Sequence, residues 1–359
     1  MGFINKIGTA TAPYKMLQKE VSSYMQNFYE IPFEEKRKIA LMYERCGIET
    51  RYSAVPDYHQ SLQENLLLPN NLQEPFPSID KRMELFFKVA PPMCIDAVNN
   101  CLNNKDELKK ITHLITISCT GMAAPGLDLI LMEQLNLSNN THRTSVNFMG
   151  CYAVFHALKM ANAFCAENEN HQVLVVSVEL CTLHFQNKFT MDNIAANLLF
   201  ADGAAAAIIT SKPRHQHAIE LNSFYSQVVL NGKADMAWHL SETGFLMTLS
   251  AFIPDLIKSG IGNLLNGVLA QAQLTKNDIN NWAIHPGGRK IIETIKAELG
   301  LSLNDVAASF NVLKNYGNMS SATILFVLAQ MQLEERKGKV FACGFGPGLT
   351  LETLIGDFI

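Results

Sequence analysis

The feature that most constrains this chain is an order of apolar strands and helices that occurs twice along it. In the first part, HLITIS (113–118), SVNFM (145–149) and VLVVSV (173–178) are short apolar runs separated by helical stretches. Such runs are typical of buried parallel strands. The segment LLFADGAAAAIIT (198–210) then predicts two strands joined by a hairpin turn at its Asp-Gly pair.

The second part repeats this order. WAIHPGG (282–288) leads into a helix, and ASFNVLKNYGNMSSATILFVLAQM predicts a strand, a tight turn and a long apolar helix, as RTSVNFMGCYAVFHALKMANAF does earlier. FACGFGPGLTLETLIG (341–356) takes the place of the segment 198–210. The sequence therefore predicts an α/β fold of two duplicated halves, residues 1–213 and residues 214–359, whose strand-to-helix turns face each other.

Helices are also predicted upstream of the first apolar strand. Residues 15–45 lack strand alternation, and an amphipathic run covers residues 80–102. Because proline lacks the N–H group that a helix interior needs, we expect this second helix to be kinked or broken at Pro91 and Pro92.

The balance of residue types excludes several classes of protein. Of the 359 residues, 48% are hydrophobic and 17% are charged, whereas about a quarter of the residues in an average soluble domain are charged. This composition suits a large core or one that also buries a subunit interface. A net charge of −4 argues against a nucleic-acid-binding protein. Because no apolar run reaches about 18 residues and the N-terminal segment lacks an apolar signal region, we expect neither a membrane span nor secretion.

Eight cysteines are spread along the chain without a C-x-x-C pair, and most lie in apolar runs. Cysteines in this pattern behave as small apolar residues of a reducing compartment, so we expect a cytoplasmic protein. The ten histidines form no H-E-x-x-H motif, and none pairs with a cysteine at zinc-finger spacing. No metal site is therefore expected.

Three polar residues stand where a predicted strand meets a predicted helix. Cys151 lies in NFMGCYAVFHALKMA, His285 in AIHPGG and Asn318 in NYGNMSSA. Taken singly, they suit structural roles as a packed thiol, a buried imidazole and a turn or N-cap residue. Taken together, they supply a nucleophile, a proton partner and donors for an oxyanion. Because a helix N-terminus and a nearby imidazolium stabilise a thiolate, we expect the pKa of Cys151 to lie below the usual ~8.5.

The motifs around these residues are similar to those of a known family. GCYAVFHALKMA, LFADGAAAAI, AIHPGG, YGNMSSA and GFGPGLTLE, in this order along nearly the whole chain, resemble the type III (chalcone-synthase-like) polyketide synthases, and in particular a bacterial-type member. The resemblance implies a thiolase-like αβαβα layered sandwich and a homodimer. It also implies that coenzyme A thioesters are the substrates and that no cofactor is needed.

Carried over residue by residue, the resemblance implies that Cys151 accepts the acyl group of an acyl-CoA starter and that His285 is its thiolate partner. His285 and Asn318 would stabilise the enolate formed from malonyl-CoA by decarboxylation. Iterative Claisen condensations would give a pyrone, resorcinol or phloroglucinol-type product. The residues expected to shape the substrate cavity are Phe200, Ser320, Met247, Trp238, His184, Cys181, Cys119, Gly287, Gly288, Gly346 and Pro347.

The sequence departs from the plant members of the family inside this cavity. Met247 replaces a phenylalanine, Trp238 replaces a glycine, and threonines are replaced by Cys119, Cys181 and His184. The added rings predict few extensions, whereas the flexible Met247 predicts tolerance for aliphatic starters.

Two further departures concern the contacts with a second subunit and with coenzyme A. Ala124 takes the position of a methionine that reaches into the neighbouring subunit's cavity. Arg45 and Arg51 fall near the family's basic coenzyme A triplet, which is not cleanly reproduced, so they are the expected phosphate contacts.

Three alternatives remain open from the sequence. A β-ketoacyl-ACP synthase III-like priming enzyme shares the three residues and the fold but takes malonyl groups from acyl carrier protein. A cysteine hydrolase would release free acids without forming a carbon–carbon bond. A catalytically silent acyl-binding protein would lack a selectively reactive Cys151.

Overall fold

The computed structural model of the chain describes residues 1–58, 66–69, 72, 74–250 and 252–359. Its strands are β1 (Gly2–Thr11), β2 (Tyr14–Leu17), β3 (Thr50–Ser53), β4 (His113–Ser118), β5 (His142–Asn147), β6 (Gln172–Leu180), β7 (Asp202–Thr210), β8 (Ile219–Val228), β9 (Met236–Ser241), β10 (Gly244–Leu249), β11 (Asn281–Ile284), β12 (Gly338–Gly346) and β13 (Thr350–Phe358). Its α-helices are α1 (Gln18–Phe28), α2 (Phe33–Arg45), α3 (Ile79–Cys101), α4 (Leu127–Gln134), α5 (Ala153–Glu167), α6 (Met191–Leu199), α7 (Ile253–Ala272), α8 (Arg289–Glu298), α9 (Ala307–Tyr316) and α10 (Thr323–Leu333).

Nine strands form one mixed sheet in the order β11-β12-β13-β8-β1-β7-β6-β4-β5. The apolar runs HLITIS, SVNFM and VLVVSV give the parallel strands β4, β5 and β6, and β4 and β6 are buried along their whole length. β1 pairs with β7 on one side and with β8 on the other. It therefore joins a part of the sheet built from the first half of the sequence to a part built from the second.

Two helices pack against both parts of the sheet, and one of them is almost fully buried. α10 has the almost wholly apolar sequence TILFVLAQMQL and is buried on nearly all sides, and with α5 it packs against strands of both parts. α3 covers the other face of β1, β6 and β7, and α7 packs on β8 and β13. A helix buried on all sides needs such a place between layers. The predicted α/β fold with helices and strands in alternating layers is confirmed.

Three local predictions are wrong. The segment 198–210 is not a hairpin, because α6 ends at Leu199 and one strand follows, whose alanines fit closely between β1 and β6. The segment before Asn318 forms helix α9 rather than a strand, with its buried side chains at helical spacing. Pro91 and Pro92 do not interrupt α3, which is held along β1, β6 and β7. By contrast, the hairpin expected at 341–356 is present as β12 and β13.

Candidate active site

Cys151, His285 and Asn318 line one cavity of about 780 Å³, whose walls come from both parts of the molecule. Most of its lining is apolar, and four methionines contribute to it, namely Met42, Met191, Met236 and Met247. The cavity is also lined by most of the residues predicted to shape it: Cys119, Cys181, Phe200, Trp238, Gly287, Gly288, Ser320 and Pro347.

Cys151 lies in a tight turn between β5 and α5, as predicted. Gly150 has a φ of +87°, and a Cβ added to it would lie 2.3 Å from Cδ of Pro347. The backbone conformation and this contact both require glycine before Cys151. The Gly150 N–H donates to Sγ of Cys119 at 3.0 Å. The turn that presents Cys151 to the cavity is therefore held from two sides.

His285 follows the last residue of β11. Its main-chain N–H donates to the carbonyl oxygen of Cys343 at 2.8 Å, which extends the β11–β12 pairing into the site. The side chain is fully buried, and neither ring nitrogen has a hydrogen-bond partner among the described residues. A Cβ added to Gly287 would lie 3.8 Å from Nε2 of His285. Neither ring nitrogen is therefore held by another group in the described part of the chain.

Burial determines the charge state of both groups. It raises the pKa of Cys151 to about 12, although hydrogen bonding by the side chains of Ser320 and Asn318 acts in the opposite direction. Burial also lowers the pKa of His285 to about 3. At neutral pH the site therefore contains a thiol and a neutral imidazole. The expected low pKa of Cys151 is wrong, because desolvation outweighs the hydrogen bonds and the helix N-terminus.

Asn318 stands between α9 and α10 and not after a strand. Its main chain makes an isolated parallel bridge with Phe200, in which the Asn318 N–H donates to Leu199 and the Ala201 N–H donates to Asn318, both at 2.9 Å. The side-chain Oδ1 accepts the Ser320 N–H at 2.9 Å. The amide nitrogen donates to the Gly287 carbonyl oxygen at 3.4 Å, and its second N–H is left to donate toward a ligand.

Glu179 is a buried residue near the site that the sequence analysis missed. Its carboxylate accepts the Cys119 N–H and the Thr120 hydroxyl, both at 2.9 Å, and also the Ser321 hydroxyl. It therefore links the strand that ends at Ser118 to the turn after Asn318. The signal that could have found it is a single carboxylate inside the apolar run VLVVSVEL.

Trp238 and Met247 face each other across the β9–β10 hairpin, and both line the cavity. The indole N–H of Trp238 donates to the carbonyl oxygen of Cys119 at 2.8 Å. The indole is thus fixed to the main chain and still forms part of the wall.

His184 does not line this cavity, contrary to the prediction. Its Nε2–H donates to the Thr120 carbonyl oxygen at 2.7 Å, and its Nδ1 accepts the Phe245 N–H at 3.2 Å. The ring stacks on Phe245 with 4.3 Å between ring centroids. Burial lowers the pKa of His184 to about 3, so this fully hydrogen-bonded imidazole is neutral and supports the wall from behind.

Gly346 also lies outside the cavity lining. A Cβ added to it would lie 2.6 Å from Cδ1 of Tyr152 and 3.3 Å from the main-chain nitrogen of Cys151. It therefore allows β12 to pass close to the Cys151 turn without shaping the substrate space directly.

The two predicted coenzyme A contacts have different environments. Arg45 lines the cavity from the end of α2 and is exposed. Arg51 is 2% exposed and donates to the main-chain oxygen of Phe200 at 2.5 Å, so the expectation of a phosphate contact there is wrong. Arg289 and Lys290, at the start of α8, also line the cavity. The sequence signal for them was the Arg-Lys pair that follows HPGG.

Neither a metal-binding cluster nor a membrane-spanning helix occurs in the part of the chain that the structure describes. Within it, no group of three or more His, Cys, Asp or Glu side chains could hold a metal ion. Its helices include none that is both long enough and apolar enough to cross a membrane.

The fold has two α/β parts of similar plan, packed around buried helices. Its cavity contains a thiol, an imidazole and an amide. Together these features define a thiolase-like condensing enzyme. Sequence models of the chalcone and stilbene synthases match most of the chain: the N-terminal domain matches residues 2–213, and the C-terminal domain matches residues 220–357. The chain therefore belongs to the chalcone and stilbene synthase family and is a type III polyketide synthase.

Proteins similar to this chain come from Mycobacterium, a brown alga and Dictyostelium. The "Alpha-pyrone synthesis polyketide synthase-like Pks18" of Mycobacterium tuberculosis is 30% identical over 99% of this chain and 91% of its own length. The crystal structure of PKS-I from the brown alga Ectocarpus siliculosus has a TM-score of 0.91 and 26% identity, covering 100% of this chain and 98% of that chain. The C-terminal type III domain of the Dictyostelium type I/III hybrid Steely1 has a TM-score of 0.90 and 27% identity, covering 100% and 99%.

Proposed function

We propose that this type III polyketide synthase loads an acyl-CoA starter on Cys151 and extends it with malonyl-CoA by repeated Claisen condensation. The observation that carries the proposal is the meeting of a thiol, a neutral imidazole and an amide in one apolar cavity. These groups suffice for nucleophilic acyl transfer and for enolate stabilisation. In this proposal the enzyme uses no cofactor, because the coenzyme A thioesters are substrates.

In the loading step, Sγ of Cys151 attacks the thioester carbonyl of the starter while its proton passes to His285. The bond from Sγ to the acyl carbon forms, and the bond from that carbon to the coenzyme A sulfur breaks. The departing thiolate takes the proton from the imidazolium and leaves as free coenzyme A. The imidazole is neutral before this step and can accept the thiol proton, although burial lowers its pKa to about 3 and so makes it a weak base.

In the extension step, the carbon–carbon bond to the malonyl carboxylate breaks and carbon dioxide leaves. The electron pair forms an enolate, whose oxygen accepts hydrogen bonds from Nε2–H of His285 and from the Asn318 amide. The enolate carbon attacks the acyl carbon on Cys151, so a carbon–carbon bond forms and the bond to Sγ breaks. The thiolate released in this way accepts the extended chain for the next round.

The cavity wall supports an aliphatic starter and a short product. Four methionines in the lining provide flexible apolar contacts, and Met247 is one of them. Trp238 restricts the space beside Met247, because its indole is anchored to Cys119. We therefore propose few extensions and release as a triketide or tetraketide pyrone or as a small resorcinol or phloroglucinol-type ring. The name of the mycobacterial relative, which refers to α-pyrone synthesis, agrees with the first of these.

Coenzyme A would bind at the basic mouth of the cavity. Arg45 stands at the end of α2, and Arg289 and Lys290 stand at the start of α8, where main-chain N–H groups also favour anions. Arg289 also forms an ion pair with Glu293, whose Oε1 lies 2.8 Å from Nε of Arg289. We propose that Arg45 and Lys290 contact the phosphates, with Arg289 oriented by Glu293.

We also propose a homodimer in the cytoplasm. β5 is at the end of the sheet, its other edge carries no strand in the described part of the chain, and most of its side chains are exposed or half-buried. A pocket beside it is lined by the loop that contains Ala124. This free edge and loop would provide the subunit interface. Eight unpaired thiols support a reducing compartment.

Product analysis tests the proposed function. Purified enzyme is incubated with malonyl-CoA and acyl-CoA starters of increasing length, and the products are identified by mass spectrometry. We expect malonyl-dependent polyketides from the wild type and none from Cys151→Ala, whereas normal yield from that variant would remove Cys151 as the nucleophile. Activity only with malonyl groups on acyl carrier protein would instead indicate the priming condensing enzyme.

A further inference from the structure

Arg51 is a buried cation whose place in the reaction is not explained by substrate contact. It lies in β3, is 2% exposed, and donates from Nη1 to the main-chain oxygen of Phe200 at 2.5 Å. Its Nε has no hydrogen-bond partner among the described residues. A charge is costly to bury, so an arginine in this position needs a reason other than solubility.

The acceptor of this hydrogen bond belongs to the segment that holds Asn318. Phe200 bridges Asn318, with hydrogen bonds on either side of it from Asn318 to Leu199 and from Ala201 to Asn318. Two hydrogen bonds at 2.9 Å join these two main-chain segments. Arg51 therefore fixes a segment that carries both a cavity-wall ring and the proposed oxyanion donor.

The same strand also holds the other side of the Asn318 turn. The Glu49 N–H donates to Lys314 and the Thr50 hydroxyl donates to Asn315, both at 2.8 Å. A Cβ added to Gly317, which precedes Asn318, would lie 3.5 Å from Cβ of Arg51. Residues 49–51 thus follow the end of α9 up to Asn318.

Asp202, two residues after Phe200, also interacts with Arg51, as do the phenols of Tyr43 and Tyr58. Asp202 accepts the Ala54 N–H at 2.6 Å and the Thr182 N–H at 2.8 Å. Burial raises the pKa of this carboxyl to about 7, although the hydrogen bonds from Thr182 and Ala54 and the positive charge of Arg51 favour its ionised form. The segment after β3 is therefore tied to the residues on both sides of Ala201.

We propose that Arg51 is a positioning residue that sets the place of the Asn318 amide and of Phe200, and that it does not bind coenzyme A. The inference rests on the proposed role of Asn318 as an enolate donor. Guanidinium suits the task because its donors have a fixed planar geometry. A displacement of about 1 Å at a catalytic group can reduce the rate roughly 10²-fold.

The test compares Arg51→Met and Arg51→Lys with Arg45→Met as the matched control at the cavity mouth. Malonyl-CoA decarboxylation gives kcat and KM, and mass spectrometry gives the acylation of Cys151 by the starter. We expect Arg51→Met to lower kcat by roughly 10²-fold with KM nearly unchanged and Cys151 acylation retained. Arg51→Lys, which keeps the charge and one donor, should recover part of the loss. Arg45→Met should raise KM and leave kcat nearly unchanged.

A double variant separates the positioning role of Arg51 from the proposed role of Asn318 as an enolate donor. If Arg51 acts through Asn318, adding Arg51→Met to Asn318→Ala should cost little further activity. Additive losses, or a raised KM with unchanged kcat in Arg51→Met, would overturn the inference. Normal decarboxylation by Asn318→Ala would instead contradict the proposed role of Asn318. Should Arg51→Met fail to fold, the same cycle with Arg51→Lys decides, and equal loss of acylation and decarboxylation there would show a purely structural role.

Discussion

The charge state of Cys151 gives the sharpest prediction. With a pKa of about 12, the thiolate is roughly one part in 10⁵ at pH 7, whereas a cysteine with the usual pKa of ~8.5 is about 3% thiolate. Because alkylation requires the thiolate, Cys151 should react with iodoacetamide on the order of 10³ times more slowly than a free thiol. The rate should rise about tenfold for each pH unit between pH 7 and pH 10, without a plateau.

The assay follows the Cys151 peptide by mass spectrometry, because Cys119 and Cys181 line the same cavity. His285→Ala is the matched variant. Since the imidazole is neutral in the free enzyme, with its pKa lowered to about 3, its removal should leave the slope of the pH profile unchanged. A rate that is constant below pH 7 in the wild type and falls in His285→Ala would show a thiolate–imidazolium pair, and the argument from burial would then be refuted.

Three further substitutions test the wall, the oxyanion site and the Cys151 turn. Trp238→Ala should lengthen the longest product seen by mass spectrometry, because it removes the indole from the cavity wall, whereas Trp238→Phe should not. Equal product lengths in the wild type and both variants would show that Trp238 does not limit the length of the product. Asn318→Ala should lower the rate of malonyl-CoA decarboxylation by about 10²–10³-fold, measured as released carbon dioxide, and an unchanged rate would count against the donor role. Gly150→Ala should lower the free energy of unfolding in urea by about 1–3 kcal/mol or more. The reason is that residue 150 has a positive φ and that the added methyl group would collide with Pro347. Gly262→Ala in α7, where the added methyl meets no atom within 4 Å, is the control and should not destabilise.

The sequence predicted those parts of the fold and site that local patterns encode. Buried strands such as β4 and β6 follow from continuous apolar runs. The places of Cys151 and His285 follow from glycine and proline next to a strand end. The Asn318 turn was identified from its motif, although the preceding element is a helix, because a short apolar segment fits either period.

The parts that could not be predicted depend on contacts between distant segments. Arg51 resembles a surface charge in the sequence, and its burial is explained by groups from distant segments, such as Phe200 and Asp202. The resemblance to the plant family members predicts His184 in the cavity, but hydrogen bonds with Thr120 and Phe245 hold its ring outside the lining. The division at residue 213 stays a prediction.

The position of β1 has a consequence for how the chain reaches its folded state during synthesis. Asn5 in β1 and Thr210 in β7 are 205 residues apart, and their side chains are joined by a hydrogen bond of 2.7 Å. β1 must therefore wait until a long later segment has been made before it can pair. Until β7 and β8 have been made, both edges of β1 stay unpaired, and open strand edges invite pairing between chains. Assistance by chaperones and low expression temperature should improve the yield of this enzyme more than that of a protein of similar size with local strand pairing.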